Sequence, residues 1–407
     1  TIRKNRITAA STQIDVKTAK AALFPSLSFS TSQQVVNRPY QETSSRVSGS
    51  EIISSNSKTS YNGNYGLNAS WTLYNGNKRL KTIQQEKLNN QVAELDVATS
   101  ENNIQESIAQ VYIQILYAAE SVKVNESTLQ VSIAQRDRGQ ELLNAGSIAK
   151  SDFAQLEAQV STDRYQLVTA QATLEDYKLQ LKQLLELDGE NEMNIYLPVL
   201  SDENVLAPLP TKKDVYISAL SLRPEIEASK LNVEASELGI GIAKSSYLPT
   251  ISLSAGIGTN HTSGSDFTFG EQVKNGWNNS IGLSVSVPIF NNRQTKSAVQ
   301  KAKLQYETSM LSLLDEQKTL YKTIEGLWLD ANSAQQRYAA ANEKLKSTQI
   351  SYELISEQFN LGMKNTIELL TEKNNLLQAQ QEQLQAKYMA ILNTQLLKFY
   401  QGDQLAL

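Results

Sequence analysis

The sequence predicts a duplicated fold in which a membrane β-barrel continues into a barrel of long α-helices. The first observation is an internal repeat: residues 66–88 return as residues 282–304, at an offset of 282 − 66 = 216. The second is a pair of strand-like segments in each half, with one apolar and one polar face. The third is a stretch from Asn77 to Gly139 without an intervening Pro or Gly, which would extend about 93 Å as one helix.

Further matches extend the repeat in both directions. The offset of 216 also pairs residues 144–146 with residues 360–362. Upstream, residues 19–30 pair with residues 243–254 at an offset of 243 − 19 = 224, so the first repeat has 224 − 216 = 8 extra residues between its strands. We therefore expect one pseudo-symmetric body, built from a single unit used twice.

Each repeat is predicted to contain a helix, two strands and a helical hairpin. Alternating apolar and polar residues mark the strands, and Pro and Gly mark the helix ends. The Ser-rich residues 37–60 are predicted to be an exposed loop, and the Pro-containing residues 189–222 a linker or equatorial subdomain. The predicted bounds are residues 1–188 for the first repeat, with strands at about 25–36 and 61–74 and a hairpin at 77–188, and residues 223–407 for the second, with strands at about 250–259 and 277–290 and a hairpin at 294–400.

The strand segments alone fit two environments. Segments of about ten residues with one apolar face are typical of a membrane barrel around a wet lumen. A soluble antiparallel sheet packed on a core shows the same alternation. Aromatic residues near the segment ends suit the interface girdles of a membrane barrel. These residues are Phe24, Trp71, Tyr74, Trp277 and Phe290.

The long helices favour the barrel. Their apolar residues form a narrow stripe among Gln, Asn, Ser, Glu and Ala, so each helix needs neighbours along one seam and tolerates water elsewhere. Four strands cannot close a membrane barrel, since the smallest examples have about eight. Because no strand edge can face lipid, copies of the chain would have to share one barrel of eight, twelve or more strands.

Composition argues against several other classes. A net charge of −4 without charged blocks gives no reason to expect nucleic acid as a partner. The absence of cysteine and the single histidine leave no plausible metal cluster, and His261 is interpreted as a solvated loop residue. No nucleophile, base and orienting group occur together, so we expect no catalytic residues, no enzyme activity and no cofactor.

The N-terminus resembles a truncated repeat. Thr1 aligns with Glu225, which follows the start of a helix in the second repeat. We therefore expect a signal sequence and the first helical turns upstream of residue 1. A lipid-bearing cysteine there would not be visible in this sequence.

Three motifs resemble those of the TolC-type outer-membrane efflux proteins. They are AKSSYLPTISLS at residues 243–254, GLSVSVPIF at residues 282–290, and a Phe, Gly and Glu spaced as F-x2-G-x5-E at residues 359–368. Together with the duplication, the resemblance covers essentially the whole chain. It implies a homotrimer, with a twelve-stranded barrel in the outer membrane of a Gram-negative bacterium and a twelve-helix tunnel in the periplasm.

The resemblance also implies a function. Such proteins are passive exit ducts of tripartite efflux pumps or type I secretion systems. The implied partners are a periplasmic adaptor protein, an inner-membrane pump of the RND, ABC or MFS type, and outer-membrane lipid. The alternative is a soluble or surface-attached coiled-coil structural protein without channel activity. A periplasmic adaptor itself would need lipoyl-like and small barrel domains, for which the sequence shows no pattern.

The turn of each helical hairpin is a candidate site. The resemblance implies a periplasmic gate, with Glu368 at the position of a gate carboxylate, Lys364 replacing an arginine, Phe359 replacing a tyrosine, and Asp152 as the acid of the other turn. Since Lys cannot form a bidentate pair and Phe has no hydroxyl, we expect a weaker or different latch. The same residues also fit simple helix capping, because Asn365 and Glu368 have capping-box spacing and Asp152 lies in a first helical turn.

The hairpin tips match the surface on which the family docks its adaptor. Gly146 and Gly362 also fit plain helix-terminating glycines. Docking would depend on their apolar neighbours, whose exposure would otherwise be unfavourable. The predicted docking residues are Ala145, Gly146, Ser147, Ile148, Leu361, Gly362 and Met363.

Overall fold

The computed structural model describes residues 2–40, 44–48, 51–55, 58–187, 195–196, 198 and 205–405. Helices and strands alternate in blocks along the chain. In order they are α1 (Ile2–Ala21), β1 (Ser26–Asn37), β2 (Ser44–Ser48), β3 (Glu51–Ser55), β4 (Thr59–Asn75), α2 (Lys78–Asn144), α3 (Lys150–Leu184), α4 (Lys212–Leu222), α5 (Pro224–Ser245), β5 (Thr250–Thr262), α6 (Phe269–Asn275), β6 (Asn278–Ser286), α7 (Gln294–Asn360) and α8 (Thr366–Gln401).

The two long helices are equal in length. Helices α2 and α7 each have 67 residues, and their first residues are 294 − 78 = 216 positions apart. Each is followed by a helix about half as long, namely α3 with 35 residues and α8 with 36 residues. None of the described helices combines the length and the apolarity needed to cross a membrane.

Two expectations from the sequence are corrected. The predicted exposed loop at residues 37–60 contains the paired strands β2 and β3, because Val and Ile with flanking serines suffice for a short hairpin. The predicted strand at 277–290 ends at Ser286, just before Pro288, which has no N–H for a ladder. Most of the first half of the predicted linker 189–222 lies outside the described residues, and its last part is helix α4.

Residues 3–95 and 228–313 form one compact unit, here called the strand unit. Its sheet has the order β1-β4-β5-β6, and every pairing is antiparallel. Ser26 of β1 pairs with Ser70 of β4. Thr250 of β5 pairs with Asn75 of β4 on one side and with Ser286 of β6 on the other. The junctions of β1 with α1, β4 with α2, β5 with α5 and β6 with α7 therefore lie at one end of the sheet, and they are called the strand–helix junctions below.

Hydrogen bonds tie these junctions together. The indole nitrogen of Trp71 donates to the Leu23 carbonyl at 2.7 Å, and the Arg79 guanidinium donates to the carbonyls of Ala22 and Thr72. The Ser245 hydroxyl donates to the Gly76 carbonyl at 2.8 Å. Carbonyls that the turns leave unpaired thus receive side-chain donors.

Residues 1–2, 96–227 and 314–407 form the second compact unit, here called the helix unit. Its apolar core joins α4 and the start of α5 to α7 and α8 through buried Val215, Ala219, Ile226, Ile324 and Leu397. The Arg223 guanidinium lies beside this core. It forms ion pairs with Glu106 and Glu225, and stacks 4.2 Å from the Tyr400 ring.

A buried charged cluster joins three helices of the helix unit. The Lys373 ammonium group of α8 donates to the Asp163 carboxylate of α3 and to the Ser132 hydroxyl of α2. All three residues are at most 3% exposed, and Gln159 donates to the other Asp163 oxygen at 2.9 Å. Burial lowers the pKa of Lys373, while the hydrogen bond and charge of Asp163 oppose that shift. The cluster therefore fixes α8 against α2 and α3.

Replacing Lys373 by Met should destabilise the protein by about 3–5 kcal/mol, because it leaves the Asp163 carboxylate buried and unpaired. Adding Asp163→Leu should recover most of this loss. The measurement is denaturant unfolding of the detergent-solubilised protein, followed by circular dichroism.

Lys344→Met is the matched control, since Lys344 forms a 2.7 Å pair with Glu382 in which both side chains are about 40% exposed. Breaking that pair should cost only about 0–1 kcal/mol. Equal losses for the two single variants would contradict the structural role of the buried cluster.

Candidate functional site

The two hairpin turns have the same backbone geometry. Gly146 has a φ of +75° and Gly362 a φ of +73°. After the first glycine, the Ser147 N–H donates to the Leu142 carbonyl at 2.8 Å. After the second, the Met363 N–H donates to the Gln358 carbonyl at 2.8 Å. This 6→1 bond and the shorter bond from each glycine N–H complete a Schellman motif. Both long helices thus end in a left-handed glycine.

Helix α8 begins with a capping box. The Asn365 side chain accepts from the Glu368 N–H at 2.9 Å, and the Glu368 carboxylate accepts from the Asn365 N–H at 3.2 Å. The predicted capping box is therefore confirmed. The Lys364 ammonium group also pairs with Glu368 at 2.5 Å. The hydrogen bond from Lys364, followed by that from the Asn365 backbone, lowers the pKa of the Glu368 carboxyl.

The other two predicted gate residues form no side-chain hydrogen bond or ion pair with Lys364 or Glu368 in the described part of the chain. Phe359 is only 3% exposed, so its ring packs within the helix unit. Asp152 is half-buried in the first turn of α3, where the N-cap residue Ala149 supplies no side-chain cap. Asp152 has no ion-pair partner within the described part of the chain. One protomer thus brings Lys364 and Glu368 together without Asp152.

The tip of the second hairpin exposes apolar side chains. Leu361 and Met363 are each 70% exposed, and Ile367 in the first turn of α8 is 62% exposed. On the first hairpin, Ala145, Gly146 and Ser147 are exposed and Ile148 is half-buried. Ile367 was not among the predicted docking residues, although its position one turn after Met363 could have indicated it. Three large apolar side chains so close together form a surface suited to a partner.

Polar contacts link the hairpins farther from their tips. Gln135 of α2 donates to the Tyr352 hydroxyl of α7 at 2.8 Å, and Ser351 of α7 donates to Glu372 of α8 at 2.9 Å. The cluster of Lys373, Asp163 and Ser132 lies in the same region of these helices. Separating these helices within one protomer would break these contacts.

The predicted girdle residues lie near both ends of the sheet. Phe24, Trp71, Tyr74 and Phe290 are close to the strand–helix junctions, whereas Trp277 precedes β6 at the other end. Phe24 and Phe290 are 71% and 84% exposed, Trp277 is 57% exposed and Trp71 is 39% exposed, while Tyr74 is half-buried.

His261 lies in β5, so its interpretation as a loop residue was wrong. It pairs with Gly63 of β4, and its ring lies 5.3 Å from Tyr61, 5.8 Å from Tyr65 and 5.0 Å from Phe269. A Cβ atom at Gly63 would come within 2.2 Å of the imidazole. The glycine therefore makes room for the ring, and an aromatic cluster forms at the sheet end away from the junctions.

Within the described residues, no group of three or more His, Asp or Glu side chains is arranged to hold a metal ion. Capping, ion pairing and apolar exposure are thus the properties that the hairpin turns show.

Comparisons with known proteins agree on one family. The sequence profile of the outer membrane efflux protein family matches residues 1–186 and 215–402. The chain is 24% identical over 294 residues to the outer membrane efflux protein BepC of Brucella suis, covering 72% of this chain and 61% of BepC. It is 23% identical over 313 residues to the outer membrane protein TolC of Escherichia coli, covering 74% of this chain and 62% of TolC. The chain thus spans about three fifths of the length of these relatives.

A solved structure shows the same fold. The outer membrane protein VceC of Vibrio cholerae superimposes with a TM-score of 0.80, at 16% identity, over 99% of this chain and 93% of that chain. At this identity the likeness concerns the fold alone.

Replacing Gly146 or Gly362 by Ala should each destabilise the protein by about 1–2 kcal/mol, because an L-residue is strained in the left-handed region. No atom lies within 4 Å of a Cβ at either site, so the cost is conformational. Gly326→Ala is the control, since Gly326 lies inside α7 with equally open surroundings and should gain about 0.5–1 kcal/mol. Thermal unfolding in detergent measures the stability of all three variants. A loss of stability in Gly326→Ala comparable to that in the other two would refute the assignment of the cost to left-handed backbone.

Proposed function

The chain belongs to the outer membrane efflux protein family, and we propose that it is the exit duct of a tripartite efflux pump or a type I secretion system. Members of this family are channels of the outer membrane rather than enzymes. A coiled-coil structural protein, the alternative kept open from the sequence, has no need of the strand unit. The observation that supports a duct best is the exposed apolar face of its sheet.

One face of the sheet is apolar and uncovered in the single chain. On β1, Leu27 and Phe29 are 70% and 67% exposed, and on β6, Ile281 and Leu283 are 79% and 64% exposed. The residues between them are Ser and Gly. An apolar face of this size is unfavourable in water and favourable in lipid. The polar face would then line a wet passage.

The edges of the sheet support a closed homo-oligomer. Strands β1 and β6 have no partner on their outer edges in the described sheet. Because four antiparallel strands alternate in direction, β6 of one copy runs antiparallel to β1 of the next. Repeating this heterologous contact closes a ring without edges. We propose three copies, which gives twelve strands and, from α2, α3, α7 and α8, twelve tunnel helices.

The hairpin turns are proposed to form the periplasmic entrance. The Lys364–Glu368 pair holds the start of α8 locally, where the family would use an arginine to reach the neighbouring turn. Because Lys364 is already paired with Glu368, it is less free to pair with Asp152 of a neighbouring protomer. The latch between the turns is therefore weak. Leu361, Met363 and Ile367 offer the apolar surface for a periplasmic adaptor, and an inner-membrane pump supplies the energy.

The first test is the mass and conductance of the full-length protein extracted in detergent. We expect a trimer that forms ion-conducting pores in planar lipid bilayers. A monomer that remains soluble without detergent, or a trimer without conductance, would refute the duct.

Lys364→Glu should raise the single-channel conductance, because it removes the partner of Glu368 and places two carboxylates four residues apart. Lys346→Glu is the control: Lys346 is exposed, pairs with Glu343 three residues away and lies away from the turn. Since the pKa of Glu368 is lowered, its pairing is complete above the ordinary carboxyl pKa and is lost as pH falls through the lowered value. Wild-type conductance should therefore rise only at strongly acidic pH, and an unchanged conductance in Lys364→Glu would contradict the gate.

A further inference from the structure

Basic residues surround the strand–helix junctions. Residues 17–25, 76–82, 241–249 and 287–298 cover these junctions, and they contain eight basic residues and no acidic residue. The whole chain, by contrast, has 38 basic and 42 acidic residues. We call these eight residues the basic belt: Lys17, Lys20, Lys78, Arg79, Lys81, Lys244, Arg293 and Lys296.

The other end of the sheet has no such excess. The connections at residues 38–58 and 263–277 contain four basic and four acidic residues. A general preference of loops for lysine would raise the basic count at both ends. The belt is therefore specific to the end from which the helices leave.

Two belt residues have side-chain hydrogen-bond partners, and six have none among the described residues. Arg79 donates to backbone carbonyls, and Lys81 donates to the Gly241 carbonyl at 3.3 Å. The remaining six side chains are exposed, and no carboxylate pairs with any of them among the residues that the structure describes. These six charges thus have no ion-pair partner in the described part of the chain.

Three belt residues oppose the helix dipole, whereas Lys20 and Lys244 lie in the last turns of α1 and α5, where the dipole favours a cation. Helices α2 and α7 have no acidic residue in the first turn, and Lys78, Arg79 and Lys296 lie there instead. A cation at a helix N-terminus is unfavourable. Helices α3, α4, α5, α6 and α8 all have an acid in the first turn, as the dipole favours. Helix stability therefore does not explain these three basic residues, whereas an external anion does.

The neighbouring aromatic residues indicate which anion. Phe24, Trp71 and Phe290 adjoin the belt and are exposed, and such residues lie at the headgroup level of a bilayer. Headgroups extend about 5–8 Å beyond the hydrocarbon on each side, and every belt residue lies at most 296 − 286 = 10 positions from a strand end along the chain. Basic side chains there meet lipid phosphates.

We propose that the basic belt binds anionic phospholipids in the membrane leaflet on the helix side of the sheet. This inference rests on the proposed function, since the strands must be in a membrane. In the proposed orientation that leaflet faces the periplasm. The belt would hold the barrel at a fixed depth and concentrate anionic lipid around it.

The test is native mass spectrometry of the full-length protein in micelles with equal amounts of phosphatidylglycerol and phosphatidylcholine of the same chain length. The wild type should bind phosphatidylglycerol at least about fivefold more often than phosphatidylcholine. The junction variant combines Lys20→Gln, Lys78→Gln, Lys244→Gln and Lys296→Gln, which leaves Arg79 and Lys81 in place, and should lose most of this preference. High salt should reduce the wild-type preference.

The matched control makes the same change in charge within the helix unit. It combines Lys150→Gln, Lys213→Gln, Lys322→Gln and Lys398→Gln, all of exposed residues, and should keep the wild-type preference. The proposal that the basic belt binds anionic phospholipids would be overturned if the wild type bound both lipids equally. It would also be overturned if the junction variant and the control lost the preference for phosphatidylglycerol equally. A conducting trimer without lipid preference refutes the belt alone, whereas a monomer without conductance or bound lipid refutes the proposed function as well.

Discussion

A strand in lipid must have every backbone polar group paired, and under the proposed function this constraint decides how copies of the chain assemble. One chain supplies four strands in a single sheet, with β1 and β6 at its open edges. It cannot close a barrel alone. Duplication of the unit keeps the strand number even, so the edges run antiparallel and copies can join. The proposed trimer follows from this constraint, and the exposed apolar face of the sheet fits it.

The two repeats resemble each other more closely in the bounds of their helices than in the positions of their charged side chains. The long helices match residue for residue at the offset of 216, but the buried ion pair has no counterpart. Position 163 + 216 is Ala379, and position 373 − 216 is Glu157. Ala379 is fully buried, and Glu157 is exposed. The buried ion pair therefore joins α8 to α2 and α3, and the positions related to it by the repeat hold no equivalent pair.

The sequence could predict what depends on local pattern. Helix periodicity, Pro25 and the glycines at 146 and 362 placed most elements and the capping box at Asn365. Contacts between distant segments were beyond its reach, as with His261, which meets Gly63 only after the sheet has formed. Lys373 is an intermediate case. It interrupts an apolar stripe between Leu369 and Leu376, and Asp163 follows Leu156 and Val160 in the stripe of its own helix. A charged residue within each apolar stripe could therefore have indicated a buried ion pair.

Average composition can conceal a local property that matters. A net charge of −4 argues against a nucleic-acid partner, yet the four junction segments contain only basic charges. The fold brings these segments together, because neighbouring strands start and end at the same edge of the sheet. A long-range field averages all charges, but a headgroup senses only those within about 8 Å. The relevant charge for a membrane partner is therefore that of the junction, and it has the opposite sign to that of the chain.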